Sequence, residues 1–195
     1  MIKPALHHVT MKTGRLGEMI DWYSAVIGAE CNFRSEEAAW MTNDAANHRI
    51  AFLASKAIDV DADRRHHSGM HHSAFEYSSF DDLISSWKRL DDAGIQPAFS
   101  LDHGLTCSIY YRDPDGNYVE LQSDNFGDWA KSTAFMRDSA DFAANPIGSF
   151  FDPAQVYAAF RQGLAFPELQ QKMRAGAFAP AEMPDIGMPV APAPR

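Results

Sequence analysis

The chain has 195 residues, 46% of them hydrophobic, enough for one substantial core or two small ones. It contains no run of about 18 apolar residues, so no membrane span is expected, and its net charge of −9 disfavours nucleic acid as a partner, since basic residues meet only in pairs such as Arg64-Arg65 and Lys88-Arg89. The opening MIKPALHHVTM lacks the apolar core of a secretion signal, and the two cysteines, Cys31 and Cys107, predict reduced thiols in a cytoplasmic protein.

Residues 5–11 (ALHHVTM) read as a short strand. A helix follows, with Leu16, Met19, Ile20, Tyr23 and Ile27 mostly three or four apart and Gly28 as its stop. Glu30–Arg34, Ala38–Thr42 and His48–Ala54 then read as three strands. Lys56–Gly69 is polar and predicts a connecting loop, in which His66 and His67 read as solvent-exposed.

The pattern then repeats. His72–Tyr77 reads as a strand, and Ser79 with Asp82 forms a capping-box-like pair for a helix carrying Leu83, Trp87 and Leu90 and stopped by Gly94. Pro97–Leu101, Thr106–Arg112 and Tyr118–Ser123 supply three more strands, the last two joined by the turn DPDGN. His8 precedes Gly28 by 20 residues and His72 precedes Gly94 by 22, which predicts two copies of one unit. The expected organisation is α+β: a first module over 1–55, a connector over 56–69, a second module over 70–125 and a helical extension over 126–195. In the extension, Phe126–Phe142, Pro153–Leu164 and Pro167–Ala175 read as helical. From Ala179 onward five prolines in 17 residues rule out a regular helix. Such an extension is expected to pack on the module pair or clasp a neighbour, giving a homo-oligomer.

Three side chains stand out for chemistry. Strand alternation puts His8 with Leu6 and Thr10 and turns His7 away; it puts His72 with Ala74 and Glu76, and His71 with Ser73 and Phe75. Glu120, between two aliphatics in YVEL, is a costly charge unless paired or bound to a metal. Two imidazoles and a carboxylate on one face would form a facial triad with coordination positions left open. Alternation alone does not decide which histidine of each HH pair faces inward.

HHVTM with DWYSAVIG resembles the start of the vicinal-oxygen-chelate superfamily, whose unit is the βαβββ module. HHSAFEY, DDLISSWKRLDDAGI and DHGLTCSIYYRDPDGNYVEL resemble the metal-bearing module of its extradiol ring-cleavage dioxygenases, the single-domain dihydroxybiphenyl type being most similar. The resemblance covers residues 5–123. It implies metal ligands at His8, His72 and Glu120, an acid–base residue at His48, and substrate-contacting partners at His103 and Tyr110. The metal it implies is Fe(II), with Mn(II) accepting the same ligands, and the substrates it implies are a catechol and O₂. Two alternatives share the fold. A glyoxalase- or epimerase-like metal isomerase would take a fourth ligand from Ile50–Phe52, where no side chain can ligate. A metal-free small-molecule binder would have no use for the triad.

Overall fold

The same strand order occurs twice along the chain. In the computed structural model, which describes residues 2–189, the first half forms β1 (Val9–Thr13), α1 (Leu16–Ile27), β2 (Glu30–Arg34), β3 (Ala38–Thr42) and β4 (Ile50–Ala54). The second forms β5 (His72–Tyr77), α2 (Phe80–Asp92), β6 (Phe99–Asp102), β7 (Thr106–Arg112) and β8 (Tyr118–Asp124). One sheet has the order β1-β4-β3-β2. The other has β5-β8-β7-β6, extended at the β6 edge by β9 (Ser149–Phe150). First and last strands of each module pair in parallel, with Thr10 opposite Ala51 and Ala74 opposite Glu120. His8 lies two residues before Thr10, as His72 lies two before Ala74, so Ala51 is the first module's counterpart of Glu120. The α+β fold of two βαβββ modules is as the repeat predicts.

The chain divides into two compact units. One takes in the chain through Arg64 together with Asp113–Asn117; the other takes in Arg65–Arg112 and the chain from Tyr118 on.

In the first unit, helical spacing brings Leu16, Met19, Ile20, Tyr23 and Val26 of α1 into the core. Tyr23 meets Phe52 edge to face at 5.3 Å. Gly28 ends the helix at φ 66°, a left-handed conformation that favours glycine. The DPDGN segment folds on its first aspartate: Asp113 Oδ1 accepts from the amides of Asp115 (3.0 Å) and Asn117 (2.8 Å). Tyr23 Oη donates to Asp113 Oδ2 at 3.2 Å, and Arg15 pairs with Asp115 at 3.3 Å. This motif therefore builds a turn anchored to α1.

In the second unit, Ser79 caps α2 by accepting from the Asp82 amide at 3.1 Å, and Leu83, Ile84, Trp87 and Leu90 are buried. The extension packs here. Phe80 of α2 meets Phe166 at 4.5 Å and Trp87 meets Tyr157 at 5.4 Å, which brings in α5 (Pro153–Arg161) and α6 (Phe166–Arg174). The helix expected over 126–142 is two, α3 (Trp129–Asp138) and α4 (Ala140–Ala144), because Ser139 takes an extended conformation and its side chain caps the second through the Phe142 amide. β9, which the sequence does not announce, covers the β6 edge through Leu101–Phe150 and Asp102–Ser149 pairing. The proline-rich tail forms neither helix nor strand among its described residues. Tyr118 Oη donates to the Asp185 carbonyl at 3.3 Å, and Ile186 packs against Phe99, Leu101, Tyr110 and Tyr118. Residues 190–195 lie outside the described residues.

Candidate metal centre

In the second unit one sheet face gathers four of the six expected site residues. Tyr110 of β7 stands opposite Glu120 of β8, and β5, which begins at His72, lies on the other side of β8. Glu120 is 5% exposed, and a bare carboxylate so placed is costly. It is compensated: His72 Nε2 lies 3.1 Å from Oε2, and Tyr110 Oη donates to Oε1 at 2.7 Å. Burial pushes the Glu120 pKa up, but hydrogen bonds from His72, Ser108 and Tyr110 outweigh it and hold the carboxyl below its ordinary value. Burial first, then the neighbouring Glu120 charge, raises the Tyr110 phenol, which keeps its proton. His103 Nε2 lies 3.0 Å from Tyr110 Oη. Since that hydroxyl donates to Glu120, it accepts from His103, giving a directed chain His103→Tyr110→Glu120.

His72 Nε2 and Glu120 Oε2 suit a shared metal. Two ligands bonded at about 2.1 Å and meeting near a right angle stand about 3 Å apart, close to the observed 3.1 Å. A nitrogen and an oxygen donor suit a borderline first-row divalent ion.

The remaining two expected residues lie in the first unit, together. His8 and His48 have ring centroids 4.3 Å apart, and His7 joins them, its Nδ1 lying 3.1 Å from His8 Nδ1. One ring nitrogen from each of the three falls within 4.8 Å of the others. Alternation predicts that His7 turns away, and it does not, because β1 begins at Val9 and the pleat does not reach the pair. β4 likewise starts at Ile50 and leaves His48 in the preceding loop. His48 Nδ1 lies 2.6 Å from Asn47 Oδ1. That oxygen only accepts, so Nδ1 carries the proton and the neutral ring keeps its lone pair on Nε2. Partial burial, then the His8 and His7 imidazoles, hold the His48 pKa below its ordinary value, favouring the neutral ring.

Alternation turns His71 away from His72, and the structure does not, because β5 begins at His72 and His71 lies ahead of its pleat. Its Nδ1 lies 2.9 Å from His72 Nδ1, its ring stacks on Tyr118 at 5.0 Å, and its Nε2 lies 2.7 Å from the Ile186 carbonyl.

Residues 5–121 match the family model of the Glyoxalase/Bleomycin resistance protein/Dioxygenase superfamily. The chain belongs to this superfamily. Two relatives from Rhodococcus globerulus align over nearly the whole chain. "Biphenyl-2,3-diol 1,2-dioxygenase 2" is 33% identical, covering 96% of this chain and 95% of the relative. "Biphenyl-2,3-diol 1,2-dioxygenase 3" is 35% identical, covering 91% and 92%. Among solved structures, a glyoxylase/bleomycin resistance protein/dioxygenase domain from Frankia sp. EAN1pec superposes with a TM-score of 0.55 at 19% identity, covering 65% of this chain and 96% of that one. At that identity the superposition speaks for the superfamily fold alone. The two dioxygenases match this superfamily member well past residue 121, so their alignments take in the extension as well.

Proposed function

We propose that this protein is an extradiol dioxygenase that opens the ring of a substituted catechol, such as a 2,3-dihydroxybiphenyl-type aromatic, with both atoms of O₂. The observation that carries the proposal is the His72–Glu120 pair, an imidazole and a buried carboxylate 3.1 Å apart with the His103→Tyr110 chain ending on the same carboxylate. The whole-length likeness to two proteins named as biphenyl-2,3-diol dioxygenases supports it. His8 is proposed to complete the ligand set, making two histidines and one carboxylate for Fe(II), with Mn(II) as the other ion of the same preference. A bound Fe(II) would supply Lewis acidity toward the catechol oxygens and redox access to O₂.

The chain's own residues would do the rest. His48, with its lone pair on Nε2, accepts a catechol hydroxyl proton and later returns it to the opening ring. Tyr110 Oη–H and His103 Nε2–H, which in the free chain donate to Glu120 and to Tyr110, would turn to the substrate oxygens when a catechol binds and steady charge there. A metal isomerase of the same fold is disfavoured by Ala51, which stands where a fourth ligand would come from and offers no donor atom.

The test is anaerobic reconstitution with Fe(II), followed by O₂ uptake and absorbance with catechol, 3-methylcatechol and 2,3-dihydroxybiphenyl. The expected result is one O₂ consumed per catechol and a yellow ring-opened product. Stoichiometric iron without O₂ uptake on any catechol would point to the isomerase, and failure to hold iron or manganese to the binding protein.

A further inference from the structure

His103 sits between two residues that the same three side chains grip at once. Before it, Asp102 is 1% exposed. Its Oδ1 accepts from Asn125 Nδ2 at 2.8 Å and Gln170 Nε2 at 3.3 Å, and its Oδ2 from Arg174 Nε at 3.1 Å. After it, the Gly104 carbonyl accepts from Asn125 Nδ2 at 3.1 Å, Gln170 Nε2 at 3.4 Å and the Arg174 guanidinium at 3.2 Å. Each of the three therefore bridges across His103. The turn is closed from within as well, by the Gly104 amide donating to Asp102 Oδ1 at 3.0 Å and the His103 amide to the Thr106 carbonyl at 2.9 Å.

The grip leaves no slack at Gly104. Its φ is +87°, and a Cβ there would stand 3.0 Å from the Phe135 ring and 3.2 Å from the Arg174 guanidinium, which itself lies 5.9 Å from the centre of that ring. A buried carboxylate is tolerated only when paired and hydrogen-bonded, so Asp102 holds its three partners in fixed positions around the turn. Asn125 directly follows β8, and Gln170 and Arg174 lie in α6 of the extension.

We propose that Arg174, with Gln170 and Asn125, positions His103, so that α6 of the extension is part of the catalytic apparatus. Fixing the backbone on both sides of His103 holds its Nε2 at 3.0 Å from Tyr110 Oη, and through Tyr110 it orders the Glu120 carboxylate. The consequence for turnover rests on the dioxygenase reading; the aim of the His103 ring does not.

The experiment compares the full-length wild type with Arg174→Met and Arg174→Lys, and with Gln170→Leu, which cuts one bridge of three should Arg174→Met not fold. In the metal-free protein, ¹⁵N spectra of the histidine rings report the His103 tautomer, assigned by the signal lost in His103→Gln. Arg174→Met is expected to move the His103 Nε2 signal away from the protonated position and leave the His48 signals in place. After reconstitution, kcat falls about 10- to 100-fold with KM and iron content unchanged, and Arg174→Lys recovers part of the loss. An unmoved His103 signal, or a kcat loss matching the unfolded fraction, overturns the proposal. If the wild type cleaves no catechol while the His103 signal still moves, the functional reading fails and the positioning role stands.

Discussion

Tyr110 Oη donates to Glu120 Oε1 at 2.7 Å and fixes which edge of that carboxylate faces His72. Oε1 is engaged by the phenol, and Oε2 faces His72, where the proposed metal would bind. Tyr110→Phe removes the donor while keeping the ring, which stacks on Phe99 at 4.3 Å. The proposed ligands stay in place, so iron content is expected to hold. With the carboxylate less constrained, and with no phenol proton to turn toward a bound catechol, turnover is expected to fall about 10- to 100-fold. Iron content and steady-state rates on one preparation check this; an unchanged rate removes Tyr110 from the chemistry.

His72→Ala separates a ligand from a neighbour. The variant is expected to lose iron retention and activity together, because removing one of three ligands leaves only His8 and Glu120 in the proposed set. His71 is the residue able to contradict this, since its Nδ1 lies 2.9 Å from His72 Nδ1. Iron at wild-type stoichiometry in His72→Ala, lost only in His71→Ala, would transfer the ligand assignment to His71.

His48→Gln keeps a hydrogen-bonding side chain but cannot carry a proton between substrate atoms. Iron content is expected to remain at the wild-type level while turnover slows by about 10²- to 10⁴-fold, the usual scale of a lost acid–base group. A normal rate would leave the short Asn47 contact as a purely structural hydrogen bond.

What the sequence made legible follows from where regular structure begins and ends. α1 and α2 were readable because apolar residues recur at helical spacing up to Gly28 and Gly94, and β2, β3, β5 and β7 because turn residues bound them. Glu120 was readable as a paired charge because it stands between Val119 and Leu121 inside β8, where both neighbours are buried. Both HH pairs defeated the same reasoning: β1 starts at Val9 and β5 at His72, so His7, His8 and His71 lie ahead of the pleat that would sort them. The Arg174–Asp102 ion pair was out of reach for another reason, since it joins residues 72 apart and neither letter carries a local signal.

Asp113 gives a pH signature in the first unit. Burial is the largest influence on its carboxyl and raises the pKa above the ordinary 3.8, against hydrogen bonds from Asn117 and Tyr23 that lower it. A folded pKa above the unfolded one means that the stabilising contribution is complete below about pH 4 and is lost as pH rises through the folded value. Asp113→Asn keeps an acceptor for the Asp115 and Asn117 amides but does not ionise. Relative to wild type, the variant is expected to gain stability between pH 4 and pH 7. Urea midpoints at the two pH values measure this, and a difference independent of pH would show that Asp113 ionises as freely in the folded chain as in the unfolded one.

Gly148 tests whether the extension is held by backbone fit at the β6 edge. Its φ is +99°, and a Cβ would fall 2.1 Å from the Asp102 carbonyl oxygen and 2.8 Å from the His103 Cα. Alanine therefore brings both an unfavourable backbone conformation and a collision with main-chain atoms that cannot rotate away. The expected response is a loss of about 2 kcal/mol in stability, with faster amide exchange at Ser149 and Phe151 as β9 lifts from β6. Gly163→Ala is the control: it shares a left-handed φ of +92° but has nothing within 4 Å of the added carbon. The exchange change should be confined to Gly148→Ala. Equal exchange in the two variants would mean that the strain is torsional alone and that close approach of Gly148 to Asp102 does not hold the edge.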